Sequence, residues 1–86
     1  MPDYQKIDCA CYDYLEVACM FGYELNIELT DGSEVVGKAL DTRTHKDKTE
    51  WLYVQAEKEK LALRLDNISA ITPTQGGARF GRVKIA

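Results

Sequence analysis

Leu25-Asn26-Ile27-Glu28-Leu29-Thr30-Asp31-Gly32-Ser33-Glu34-Val35-Val36-Gly37-Lys38-Ala39-Leu40 is the stretch on which the fold turns. Leu25, Ile27 and Leu29 alternate with Glu24, Asn26, Glu28 and Thr30, a period of two that fits a strand with one buried face. Asp31-Gly32 supplies a hairpin turn, because an acidic residue followed by glycine tolerates the backbone angles a tight reversal needs. The return run, Glu34 to Leu40, contains Gly37, where a missing side chain lets a long strand bend sharply.

Downstream the same period recurs. The polar residues Asp41 to Thr49 read as an exposed loop containing a solvated His45, followed by a third strand from Trp51 to Ala56 with Leu52 and Val54 on one face and Trp51 and Tyr53 on the other. After a charged turn at Glu57 to Lys60, Leu61, Leu63 and Leu65 alternate with Ala62 and Arg64 in a fourth strand. Asp66-Asn67 breaks it, and Ile68 to Ile71 forms a short fifth strand before Pro73. Thr74 to Arg79 reads as a mobile tail of small and polar residues, with a sixth, weaker strand at about Arg82 to Ile85.

Upstream the period is helical. Cys11, Leu15, Ala18 and Cys19 make one apolar stripe in a helix over about residues 9–20, with Asp8 as the N-cap and Gly22 as the stop. The opposite side carries Tyr12, Asp13, Glu16, Val17 and Met20, an acidic surface mixed with aromatic and apolar groups. The expected fold is therefore mainly β (α+β) and Sm-like, an N-terminal helix followed by a strongly bent antiparallel sheet or open barrel of five or six strands over about residues 24–72.

Eighty-six residues, 45% hydrophobic and 29% charged, fit one domain spanning 1–86 with little room for a deep cleft. No apolar run approaches the length of a membrane span, and Met1-Pro2-Asp3 does not open a signal peptide, so a cytoplasmic location is expected. Three cysteines, Cys9, Cys11 and Cys19, fit reduced thiols better than a disulfide framework. The net charge of −3 is uneven: residues 1–34 hold eight acids against one base, while the remainder holds ten bases against six acids. An acidic end argues for a basic partner surface and against direct nucleic-acid binding there.

Catalytic chemistry finds little support. His45 is the only histidine and lies in a loop, without a base-and-nucleophile arrangement around it. Cys9-x-Cys11 lacks the zinc-knuckle spacing, and Gly76-Gly77 and Gly81 match no phosphate-binding glycine pattern. The reading is of a protein that is not an enzyme and carries no metal or cofactor.

Tyr4-x-x-Ile7-x-Cys9-x-x-Tyr12-Asp13-x-Leu15-Glu16-x-Ala18-Cys19 is followed by Leu29-x-Asp31-Gly32, Lys38-Ala39 and Leu63-Arg64-Leu65-Asp66-x-Ile68. In that order these motifs resemble the Rho-binding antiterminator family, Rof-type proteins that inhibit the transcription termination factor Rho. The resemblance runs from about Tyr4 to Ile71 and implies an Sm-like fold with an N-terminal helix. It also implies a partner, the N-terminal OB-fold region of the Rho hexamer, where binding blocks RNA loading and causes antitermination. By position, Tyr12, Asp13 and Glu16 match the family's Rho contact on the helix, and Lys46 matches a second contact in the loop between the second and third strands. The chain departs from the family in having Ala10 and Cys11 before Tyr12, where relatives often carry acids, and in a longer loop between Asp41 and Glu50.

An OB-fold that holds single strands presents basic and aromatic groups, so an acidic face beside a tyrosine is a natural competitor for it. The resemblance thus implies a monomer when free that binds no nucleic acid directly. The alternative is an Sm-like module, single or in a ring, binding RNA through the basic loop and the tail with Arg79, Arg82 and Lys84, which its acidic net charge disfavours. A third, a metal- or redox-responsive regulator, would use the three cysteines.

Overall fold

A computed structural model describes residues 9–74 and 76–85. The expected N-cap, Asp8, lies outside the described residues. Helix α1 spans Cys9–Phe21, and it ends where Gly22 takes a φ of 64°, the left-handed conformation that only glycine adopts cheaply. The Tyr23 amide donates to the Ala18 carbonyl at 2.9 Å and the Gly22 amide to that of Cys19 at 3.2 Å, closing the last turn in a Schellman motif. The expected stripe is the buried one: Leu15 and Ala18 are fully enclosed, with Cys11 and Cys19 packed at their flanks.

Strands β1 (Glu24–Leu29) and β2 (Glu34–Thr44) form the central hairpin. Its turn spans residues 30–33, in which the Gly32 amide donates to the Leu29 carbonyl and Asp31 Oδ1 accepts from the amide and hydroxyl of Ser33. The run β3 (Glu50–Gln55), β4 (Lys60–Arg64), a 3-10 turn (Leu65–Asn67), β5 (Ile68–Pro73) and β6 (Val83–Lys84) completes an antiparallel sheet of order β4-β3-β2-β1-β5-β6. Leu25, Ile27, Leu52, Val54, Leu65, Ile68 and Ile71 close the core beneath the helix. This is the Sm-like, open and bent sheet that the alternation predicts.

The bend comes from β2 serving two partners. Glu34 to Lys38 pair with β1 and Lys38 to Thr44 with β3, so the strand changes neighbour just past Gly37. A register shift between Ala39 and Asp41 leaves Leu40 as an extra residue there.

One expectation is corrected. Asp41 to Thr44 are not loop but the outer half of β2, because their ladder to Tyr53, Leu52, Trp51 and Glu50 satisfies the backbone while the polar side chains stay at the surface. The β2–β3 loop is only residues 45–49. After Pro73 the Thr74 amide donates to the Glu24 carbonyl, the Arg79 amide to the Tyr23 hydroxyl, and the Ile85 amide to the Ser69 carbonyl. Arg82 grips Glu28 through two hydrogen bonds, at 2.9 and 3.1 Å, and holds its carboxyl below the usual range. No helix among the described residues is long and apolar enough to cross a membrane.

Candidate functional site

Docking of α1 against β2 through Leu15 and Ala18 turns Asp13 and Glu16 outward. Met20 beside them is 75% exposed. Tyr12, expected on this same face, is half-buried with its ring against the core, and Val17 is likewise partly covered. The aromatic groups that do reach the surface are Tyr14 and Phe21. Tyr14 meets Phe80 edge-on at 5.1 Å, Phe21 stacks on Tyr23, and the Arg79 guanidinium lies 4.8 Å from the Phe21 ring centre. The helical period alone could not show that the chain end returns to this place.

Glu16, Cys19 and Met20 share a shallow depression with Leu40, Asp41 and Thr42 of β2. Burial pushes the Cys19 thiol up to about 11, and the negative charges of Asp41 and Glu16 add to the shift, so both carboxylates act on the same spot. Asp41 is thus a third acid on the helix-side surface. Reading it as loop hid this, although the alternation of Asp41-Thr42-Arg43-Thr44 beside threonines was a strand signal.

Along β2 the charge then changes sign. Arg43 Nε donates to Asp41 Oδ2 at 3.1 Å, and Arg43 lines a second depression with Tyr53 and Lys60. A wider open depression follows, walled by Arg43, Thr44, His45, Lys46, Asp47 and Tyr53. Lys46 is exposed at the loop tip. Glu16 thus faces Asp41 across one depression and Lys46 shares another with Arg43, the two depressions following one another along β2, while Asp13 is exposed one helical turn before Glu16 and Tyr12 is half-buried.

His45 is not solvated as expected. Its ring stacks on Trp51, with centroids 4.8 Å apart and planes 14° apart, and its Nε2 lies 2.9 Å from the Tyr53 hydroxyl. Trp51 Nε1–H donates to Thr49 Oγ1 at 2.7 Å, and that hydroxyl donates to Asp47 Oδ1 at 2.6 Å. That bond and one from the Thr49 amide to the same oxygen hold the Asp47 carboxyl below its ordinary value. Cys11 and Cys19 are free thiols, and the Cys11 thiol donates to the Lys84 carbonyl at 3.2 Å. Among the described residues no three or more histidine, cysteine, aspartate or glutamate side chains gather as a metal site would require.

The family described as modulator of Rho-dependent transcription termination (ROF) matches residues 6–85. Protein rof of Escherichia coli (strain K12) and Protein rof of Shigella flexneri are each 40% identical to the chain over 74 residues, which cover 86% of it and 87% of each relative. The solved structure of YaeO bound to magnesium, from Vibrio cholerae O395, superposes with a TM-score of 0.79 at 27% identity, covering 87% of this chain and 97% of that one.

Proposed function

The chain belongs to the family of modulators of Rho-dependent transcription termination, and from that premise we propose that it inhibits termination in the cytoplasm by seating its acidic helix face and its β2–β3 loop on the N-terminal OB-fold region of the Rho hexamer. Occupation of that region blocks RNA loading. The observation that carries this reading is the exposed carboxylate surface of Asp13 and Glu16, reinforced by Asp41 from β2. Carboxylates at those positions form charge-assisted hydrogen bonds with arginine or lysine that would otherwise hold phosphate. Lys46 contacts the partner from the β2–β3 loop, and Tyr12 acts from the edge of the helix.

The effect is competition, with no chemistry. Direct RNA binding through the loop is less well supported, since His45 already occupies one face of Trp51 and the helix end repels a polyanion. The test is fluorescence anisotropy of labelled oligo-dC on purified Rho, titrated with this protein, beside a control lacking Rho. Displacement of the probe with a flat control is expected. Asp13→Lys should raise the concentration needed at least tenfold, about 1.4 kcal/mol, while melting like the parent. A probe that stays on Rho refutes the block, and an unchanged titration with the folded variant removes the helix from the interface.

A further inference from the structure

The β2–β3 loop is held from both ends by one strand. Trp51 and Tyr53 stand two residues apart on β3, so they share a face of the sheet. Tyr53 and Trp51 together take the first loop residue, His45, by hydrogen bond and by stacking. Through its indole N–H, Trp51 also takes the last loop residue, Thr49, which is only 6% exposed. The backbone is closed as well, with the His45 amide donating to the Thr49 carbonyl and the Lys48 amide to the His45 carbonyl, each at 2.8 Å. Inside this ring Lys48 is held at a φ of 70°, a left-handed conformation that costs a non-glycine residue energy and persists where the surroundings over-determine it. The residues left outward are Lys46, Asp47 and Lys48.

We propose that His45, Trp51 and Tyr53 form a clamp that pre-positions Lys46 for the partner, with His45 as the positioning residue. This rests on the reading of Lys46 as a Rho contact. A free five-residue loop would have to be ordered at the moment of binding, whereas a clamped one is ordered in advance. Releasing the clamp lowers affinity by the fraction of time the loop still spends in the competent shape, so a loop that is competent one-third of the time binds about threefold more weakly. None of the three clamp residues needs to touch the partner for this to hold.

The same probe-displacement titration on Rho tests it, with four variants: Lys46→Ala, His45→Ala, the double variant, and Tyr53→Phe, which removes only the hydroxyl. Trp51 is the only tryptophan in the chain, so its emission reports the clamp in the free protein. The expected result is that His45→Ala weakens displacement about threefold or more in the parent background and has no further effect once Lys46 is alanine. Tyr53→Phe should weaken it in the same direction, and Trp51 should become more accessible to acrylamide in His45→Ala at an unchanged far-ultraviolet spectrum. If Lys46→Ala weakens displacement but neither His45→Ala nor Tyr53→Phe does, the clamp is refuted and the Rho reading stands. Additive losses from His45→Ala and Lys46→Ala also refute positioning, since His45 would then act by itself. If Lys46→Ala has no effect, Lys46 is not a contact and both readings of the loop fall.

Discussion

Replacing Gly37 by alanine tests the origin of the sheet's bend. Gly37 has no positive φ, so alanine suits its backbone, and removing a glycine there would by itself stabilise the protein by about 0.4–1 kcal/mol through the unfolded chain. The obstacle is space. A Cβ would lie 3.1 Å from the Gln55 carbonyl oxygen, 3.3 Å from its carbon and 3.3 Å from Val54 Cβ. All three atoms belong to β3 or sit directly on its backbone, so none can swing aside as a flexible side-chain end would. Overpacking of this kind costs about 1–3 kcal/mol. The net is a loss of up to about 2.6 kcal/mol, about 1.3 at the middle of both ranges, against the about 4–13 kcal/mol expected of a domain this size. Thermal melting followed by circular dichroism should show a midpoint about 4–8 °C lower for each kcal/mol lost. Gly76→Ala is the control, because among the described residues nothing lies within 4 Å of a Cβ there and its φ is not positive. A Gly37→Ala protein that melts at or above the parent would refute the argument that β2 reaches both neighbours only because this side chain is missing.

Two further outcomes follow from buried groups. Asn26 lies on β1 between Val36 of β2 and Thr72 of β5, and its Oδ1 is buried with no hydrogen-bond partner among the described residues. Asn26→Val should therefore raise the melting point, by about 1 kcal/mol of stability, and a lower midpoint would mean that the amide is paired. The Cys19 thiol, pushed up to about 11 from an ordinary 9.0, stays protonated in the folded protein at a pH where the unfolded chain has begun to ionise. Its contribution to stability is whole below pH 9 and is lost as the pH rises to about 11. Iodoacetamide at pH 8 should leave Cys19 unlabelled in the native protein and label it in urea, as read by mass spectrometry; fast native labelling would contradict the raised value.

The strands and the helix were legible because their signals are local. Leu25, Ile27 and Leu29 declare a one-sided strand, and Leu15 and Ala18 declare a helix stripe, without reference to any other part of the chain. What escaped depends on pairing. Asp41 to Thr44 carry the polar composition of a loop, and only their ladder with β3 makes them strand. His45 looked solvated because nothing in a single sequence shows that Trp51 and Tyr53 lie across the hairpin from it. Tyr12 was read as outward from its angle on the helix, yet that position lies close enough to the buried stripe for its ring to lean on the core. Asp13, Glu16 and Lys46 are exposed as expected, but the stretch of β2 that carries Asp41 and Arg43 between Glu16 and Lys46 was not visible beforehand.

That linking strand bears on what kind of partner the surface can accept. In sequence the acids gather in the first 34 residues and the bases in the rest, and the fold does not separate the two groups into opposite poles. It joins them where Arg82 grips Glu28 at 2.9 Å, and on β2 the local pair Asp41–Arg43, at 3.1 Å, turns the surface from acidic to basic within two residues. A nucleic acid is uniformly negative, so it would gain at Lys46 and Lys48 and lose at Asp13, Glu16 and Asp41. A protein surface can offer both signs in matching order, so only a protein gains at both ends of the strip. Salt dependence follows from the same distinction. Phosphate binding releases condensed counterions and weakens steeply with salt, whereas a mixed-sign protein interface releases none of that kind and weakens only as screening of its exposed pairs requires. The charge pattern of this strip therefore favours a protein surface over a nucleic acid as its partner, in keeping with the proposed seat on Rho.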